Sequence, residues 1–338
     1  MGVGLVGLGS ISRAHLAGYA GAADRATVVA VCDLDGDRAA AVAREFGARA
    51  YSRLGELLAD PDVEAVDLML PHEVHYEAAS AALASGRHVL VEKPLALTSD
   101  ECRSLIEQAR AASLTLGVAE NTRFVAAYLA VERLLRSGAL GEPRLARTFI
   151  AGSEDRRGRD ASRWRATAGG GGGAILDSGP HSFYLLRWLL GELATVRAFH
   201  HRLITDSEVD DHAVVAGRLR SGALYSTEYS FTAEIPWGER FELYGSEGSV
   251  IVDQLSQPPA IHFQGGDDRD GHPLTDVPYN PAGWKEDSIA AGVLDFADAV
   301  REGRAPAVGG EDGLHGVLVA ERAYESAAAG GVELELVA

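Results

Sequence analysis

The sequence predicts an α/β protein with an N-terminal doubly wound parallel sheet. A C-terminal α+β domain with a mostly antiparallel open sheet follows. Three observations carry this reading. The first third alternates strands and helices, and its strands are nearly all apolar. After about residue 121 short strands follow one another with few helices between them. A glycine turn stands at the first strand–helix junction. At 338 residues and 35.6 kDa the chain exceeds one usual core, so two domains are expected, 1–120 and 121–338.

Residues 3–7 form an apolar run that stops at glycine, the pattern of a buried strand, and 12–22 reads as a helix. The β-branched "TVVAVCD" at 27–33 is the second strand. A helix at 37–46 has an apolar stripe of Ala39, Ala40, Val42, Ala43 and Phe46, with Gly47 suited to its end. Strands at 65–70, 88–92 and 114–120 alternate with helical patterns at 74–85 and 99–112. Such all-apolar strands belong to a parallel sheet covered on both faces. In the second domain, strands are expected near 145–151, 195–201, 213–219, 223–231, 240–245 and 249–253. The connections "RSG" at 220–222 and "GSEG" at 245–248 fit antiparallel hairpins. Long helices at 286–302 and 311–329 close the chain.

A net charge of −18 argues against a nucleic-acid partner, which needs a basic face. No uncharged run approaches the ~18 apolar residues of a membrane span, and no signal-peptide pattern opens the chain. Cys32 and Cys102, without metal spacing, fit a reducing compartment, so the expected location is cytoplasmic. The histidines are scattered, with no His-x-x-x-His, and no metal is expected.

The turn "GLGSIS" (7–12) is where chemistry begins. Gly7 permits the tight turn and Gly9 lets the backbone approach a pyrophosphate, while Ser10, Ile11 and Ser12 lead into a helix whose amides receive negative charge. Asp33, ending the second strand, can accept both hydroxyls of an adenine ribose and would repel a 2′-phosphate. Leu34 follows it. NAD is the expected cofactor, with NADP the lesser alternative because Arg38 or Arg13 stands near enough in sequence to meet a phosphate.

Three segments, "GLGSISRAHLAGY", "LPHEVHYEAASAALASGRHVLVEKPLA" and "GGGGAILDSGPHSFYLLRWLLG", resemble the Gfo/Idh/MocA oxidoreductases. The resemblance extends through "DFADAVREGRAPAVGGEDGLHGVLVAERAYESAAAGG" to essentially the whole chain. It implies a Rossmann domain and a set of catalytic residues: Lys93, Asp177 and His181. Lys93, in "VEKPLA", would lie beside nicotinamide and substrate, its bond to Pro94 often cis. Leu70, Pro71, His72, His75, Glu92, Lys93 and Asn121 would contact the cofactor. Pro180 suits the first turn of a helix through 181–190, which would put His181 near a helix N-terminus, where the dipole favours the neutral base. The family often continues its Asp-x-x-x-His with an acid three residues on, where this chain has Tyr184.

On the substrate side the expected residues are Lys93, Arg123, Trp164, Arg165, Asp177 and His181. Trp164, with Arg163 and Arg165 beside it, suits a sugar ring or an acidic substrate. "EDRRGRD" at 154–160 reads as a mobile lid. The expected reaction is hydride transfer between a carbinol of a sugar, cyclitol or glycoside and NAD. In it His181 is the general base, Lys93 holds the oxygen, and Asp177 fixes His181 or a neighbouring hydroxyl. Two rivals stay open: a glycoside-cleaving or epimerising enzyme with a transient 3-keto intermediate, and a non-catalytic NAD-binding regulator. A homodimer or homotetramer is expected, since an open antiparallel sheet can pair between subunits.

Overall fold

The computed structural model describes residues 1–152, 164–203, 207–256, 260–266, 268–274, 277 and 283–336, with the backbone alone at 268–270. The chain divides into two compact units, Met1–Phe124 with Lys285–Val317, and Val125–Trp284 with Leu318–Ala338.

The first unit begins with β1 (Gly2–Val6), α1 (Ser12–Ala20), β2 (Thr27–Cys32), α2 (Gly36–Phe46), β3 (Arg49–Tyr51) and α3 (Leu54–Leu58). It continues through β4 (Ala65–Leu68), α4 (His75–Ala84), β5 (His88–Glu92), α5 (Ser99–Ala112) and β6 (Leu116–Ala119). The sheet order is β3-β2-β1-β4-β5-β6 and every pair is parallel. All residues of β1 and β4 are buried, as strands covered on both faces must be. Strand order reverses between β1 and β4, and ligands of such sheets bind beyond the carboxyl ends at that point. Local chemistry fixes the helix ends. Asp35 caps α2 by accepting from the Arg38 amide, and Gly47 ends it at φ 67°. Thr98 and Glu101 form a capping box on α5.

The second unit contains α6 (Ala126–Arg136), β7 (Pro143–Ala151), α7 (Ala174–Leu190), β8 (Thr195–His201), β9 (His212–Arg218), β10 (Leu224–Ser230) and β11 (Gly238–Gly245). Then come β12 (Gly248–Asp253), β13 (Ala260–Gly265) and β14 (Asp268–Pro273), followed by α8 (Trp284–Glu302), which lies in the first unit from Lys285 on, α9 (Gly310–Ala328) and β15 (Leu334–Glu335). Its sheet runs β14-β13-β12-β11-β7-β10-β9-β8-β15, antiparallel except for β7 with β10. Both expected hairpins form, joining β9 to β10 and β11 to β12. One sheet face presents Tyr225, Tyr229, Phe241 and Leu243 to a core that includes Phe183 and Leu186 of α7.

Most of α8 packs in the first unit, although the boundary expected at 120 assigns it to the second domain. Ile289, Val293 and Phe296 join the core of Leu5, Leu16 and Tyr19. Burying each such side chain contributes about 1.5–3 kcal/mol. Gly18 makes room for α8, since a Cβ there would sit 3.0 Å from the Ala290 Cα. α9 begins in the first unit and finishes in the second.

Candidate active site

In the first unit the turn after β1 is built on Gly7, at φ 85°, where a Cβ would collide with the Met69 carbonyl. At Gly9 the Cβ position is open. Ser12 is buried and its hydroxyl donates to the Gly9 carbonyl at 2.7 Å, closing the turn. α1 starts after Ile11 without a side-chain cap and without an acid in its first turn. Helix amides in that condition can receive a phosphate.

Asp33 reaches back to this turn. Its Oδ2 accepts from the Leu8 amide at 2.7 Å and from Arg38 at 3.3 Å, and its Oδ1 accepts from the Asp35 amide. Arg38 is held between Asp33 and Asp35, which draws its charge away from a 2′-phosphate. Leu34 is 96% exposed, an apolar surface of the kind an adenine ring covers.

β4 and β5 end beside one another and carry the next group. Leu70 and Pro71 are half-buried, while His72 is buried in a short 3-10 turn, edge-on to His75 at 5.5 Å. His75 is fully buried, and its ring nitrogens lie 2.7 Å from the Pro94 carbonyl oxygen and 2.9 Å from that of Leu70. The neutral ring has one N–H, which it donates to one of these two carbonyls. Burial pushes its pKa down. Lys93 is half-buried and its bond to Pro94 is cis. It is one of only two lysines in a chain otherwise supplied with arginine. Asn121 and Arg123 sit in a 3-10 turn after β6, within the first unit, and the Asn121 amide donates to Ser288 Oγ at 2.7 Å.

The second unit explains the run of five glycines. Gly170 to Gly173 are buried. A Cβ on Gly170 would strike the Trp164 carbonyl, and one on Gly172 that of Arg165. Gly173, at φ 110°, faces the Asp210 carboxylate and the Tyr324 hydroxyl. The run is a tightly packed turn into α7. The helix starts at Ala174, so Pro180 is its seventh residue and His181 its eighth. The expected start at Pro180 is thereby corrected. The dipole argument for a neutral His181 falls with it, because that effect fades beyond the first turn. Asp177 is the residue in the first turn. Asp177 and His181, four apart on one helix, project from the same face.

Asp177 is 6% exposed and its Oδ2 accepts from Arg165 Nε at 3.3 Å. The Arg165 guanidinium also lies 4.0 Å from the Trp164 ring centroid. Tyr184, three residues after His181, is buried and stacks on Trp188, so this position belongs to the core here. Arg163 and the 154–160 segment lie outside the described residues. Among the described residues, no cluster of three His, Cys, Asp or Glu side chains could hold a metal, and no helix is long and apolar enough to cross a membrane.

Four residues missed at the sequence level support the site. Asp210 caps α7 from a distance: its carbonyl accepts from Ala174 and its Oδ2 from Ile175, both at 3.0 Å, while Tyr324 donates to Oδ1 at 2.7 Å. In the first unit His15 joins Asp67 to Glu92. The two carboxylates outweigh the penalty of burial and raise the His15 pKa to about 10. Burial alone would raise Glu92, but the hydrogen bond and charge of His15 hold it below its ordinary value.

Residues 1–120 match the oxidoreductase family with an NAD-binding Rossmann fold, and residues 128–251 match the GFO/IDH/MocA C-terminal domain. The chain is 31% identical to a 1,5-anhydro-D-fructose reductase of Ensifer adhaerens, over 97% of this chain and 96% of that one. It is 29% identical to a myo-inositol 2-dehydrogenase of Thermotoga maritima, over 96% of both. Among solved structures it resembles levoglucosan dehydrogenase in complex with NADH and levoglucosan, with a TM-score of 0.90, 25% identity and 99% of both chains covered.

Proposed function

Because the chain belongs to the GFO/IDH/MocA oxidoreductase family, we propose that this NAD-dependent enzyme oxidises a secondary carbinol of a sugar, cyclitol or glycoside, with His181 as general base. The observation that carries the assignment is the pairing of Asp177 and His181 on one face of α7, with Arg165 on the carboxylate. When bound, NAD supplies the two-electron acceptor. Its fit is supported by the positive φ of Gly7, the uncapped start of α1 and the seat of Asp33 beside the Leu8 amide.

The residues then divide the work. His181 takes the hydroxyl proton. The Lys93 ammonium holds the same oxygen and offsets the negative charge that develops on it. Asp177 orients His181 or accepts from a neighbouring hydroxyl. Arg165 is engaged by Asp177 and by Trp164, which favours reading it as a cation that orients Asp177 over one that receives an anionic substrate. The similar relatives act, by their names, on anhydrofructose, inositol and levoglucosan, and a polyol substrate follows from that company. Turnover tests the reading: purified enzyme should form NADH from at least one polyol, and tight NADH binding without turnover on any would contradict it.

The same reading includes self-association. Phe199 pairs with Val214 and Leu224 with Leu145 across adjacent strands of the sheet, and all four remain exposed. Beside them Arg147 bridges Glu228 and Glu242, and Arg240 bridges Glu242 and Asp253. Apolar side chains next to alternating charges suit pairing with a second copy of this face. Light scattering reporting a monomer would contradict it. Cys32 and Cys102 are both buried and neither forms a disulfide, which supports a reducing, cytoplasmic location.

A further inference from the structure

Helix α1 carries a histidine that none of these roles uses. His15 is fully buried, with Nδ1 2.7 Å from Asp67 Oδ2 and Nε2 3.0 Å from Glu92 Oε1. Tyr19, one turn further on, donates its hydroxyl to the same Asp67 oxygen at 3.1 Å. Ionised carboxylates only accept hydrogen bonds. An imidazole between two of them satisfies both only with a proton on each nitrogen. The ring is an imidazolium, and its raised pKa agrees with the geometry.

Three elements meet at this ring. α1 begins at the glycine turn, β4 is a central strand of the sheet, and β5 ends in Glu92 and delivers Lys93. Packing does not explain the arrangement. Burying charged groups costs solvation that their attraction often fails to recover, and apolar side chains could hold α1 to the sheet equally well. Asp67 nonetheless sits between Val66 and Leu68, fully buried, with Oδ1 lacking a hydrogen-bond partner. A cost of this kind points to a task other than cohesion.

We propose that His15 is the positioning residue for Lys93, its imidazolium clamping Glu92 and so setting the place and the charge surroundings of the ammonium next in sequence. The groups facing His15 are Asp67 from β4, Glu92 from β5 and Tyr19 from its own helix. Lys93 and His75 act on Glu92 from its other neighbours. Without His15 two carboxylates would share this interior with no imidazolium between them, and the ammonium next to Glu92 would lose the clamp that sets its place and charge surroundings. The importance of this for turnover rests on reading Lys93 as the cation of the reacting site. The tests below follow the chemistry of His15 and Lys93 themselves, so the two readings can fail separately.

The second lysine, Lys285, is exposed and serves as an internal reference. Acetic anhydride labelling of the full chain at pH ~8, read peptide by peptide, gives the reactivity of each amine relative to the other. In His15→Gln the labelling of Lys93 relative to Lys285 should fall about 3-fold or more. A purely structural role would lower stability and leave that ratio where it is, and that result overturns the proposal. Should His15→Gln fail to fold, ring-nitrogen NMR of the wild-type protein still decides. One of its 11 histidines should remain an imidazolium at pH ~8.5, and finding all of them neutral there overturns the clamp.

Discussion

Arg165 meets Asp177 across the glycine turn, Nε to Oδ2 at 3.3 Å, and this contact joins the loop before α7 to its first turn. The glycines allow it. Cβ atoms on Gly170 and Gly172 would strike the carbonyls of Trp164 and Arg165, and one on Gly173 would meet Asp210 and Tyr324. The stretch that looks most like a flexible linker is a fixed turn that holds a cation over the first-turn acid.

If Arg165 orients Asp177, removing its charge should be felt in turnover more than in cofactor binding. A hydrogen bond between charged groups contributes about 1.5–3 kcal/mol, and the partly exposed guanidinium is worth less, about 1 kcal/mol. Arg165→Met should therefore lower kcat about 5-fold with NADH affinity unchanged. Steady-state kinetics with fluorescence titration of NADH checks this, and an unchanged kcat would detach Arg165 from the site.

His181 carries the larger effect. His181→Ala should lower kcat by at least ~10²-fold while NADH still binds, since a positioned general base contributes about 10²–10⁴-fold. Turnover close to wild type in that variant would remove His181 from the reaction.

The glycine turn gives a contrast in stability. Gly173→Ala places a side chain at φ 110° against Asp210 and Tyr324, and should cost about 2 kcal/mol or more. Gly169 is exposed with open space around its Cβ position, so Gly169→Ala should change stability by less than ~0.5 kcal/mol. Urea unfolding of both variants measures the difference. Equal losses would mean that the run is merely a spacer.

The buried imidazolium sets a pH dependence. The pKa of His15 is about 10 in the fold against 6.5 for an ordinary histidine. The folded state therefore holds the extra proton between those values. Its contribution is fully present below 6.5 and is lost as pH rises through about 10. Glu92, held below its ordinary value by His15, works in the opposite sense: its contribution is present above 4.5 and lost on acidification. Urea unfolding should show lower stability at pH ~9.5 than at pH ~6.5, with a smaller drop in His15→Gln. The same drop in both proteins would assign the slope to other groups.

Much of the fold was legible because it is local. Apolar runs and glycines at turns place five strands of the parallel sheet and β7 to β12 of the second, and the strand–helix alternation gives the parallel order, while β13, β14 and β15 lie outside the expected set. β3 and α3 escaped notice, being three and five residues long, too short for any periodicity to register. The amphipathic α6, at Ala126–Arg136, lies just beyond the expected boundary at 120, outside the expected set of helices. The start of α7 was misjudged because Pro180 is a strong helix-start signal. Its true cap, Asp210, stands 35 residues beyond Ile175, and no local pattern announces a cap supplied by another part of the chain. The assignment of α8 fails for the same reason, since sequence order does not say which core a returning helix joins. At the site, Lys93, Asp177 and His181 were visible as motifs. His75 was visible too, but only the fold reveals that its buried ring lies between the carbonyls of Leu70 and Pro94. His15 gave no signal, because its partners lie 52 and 77 residues away.

The central claim is that this chain oxidises a polyol with net reduction of NAD. The most direct measurement follows reduced nicotinamide spectroscopically while the enzyme and NAD meet a panel of sugars, cyclitols and glycosides, with the sugar products analysed in the same wells. The account predicts stoichiometric NADH and ketone from one substrate class, abolished in His181→Ala. Glycoside cleavage or epimerisation without net NADH would contradict it and make the chemistry a closed redox cycle.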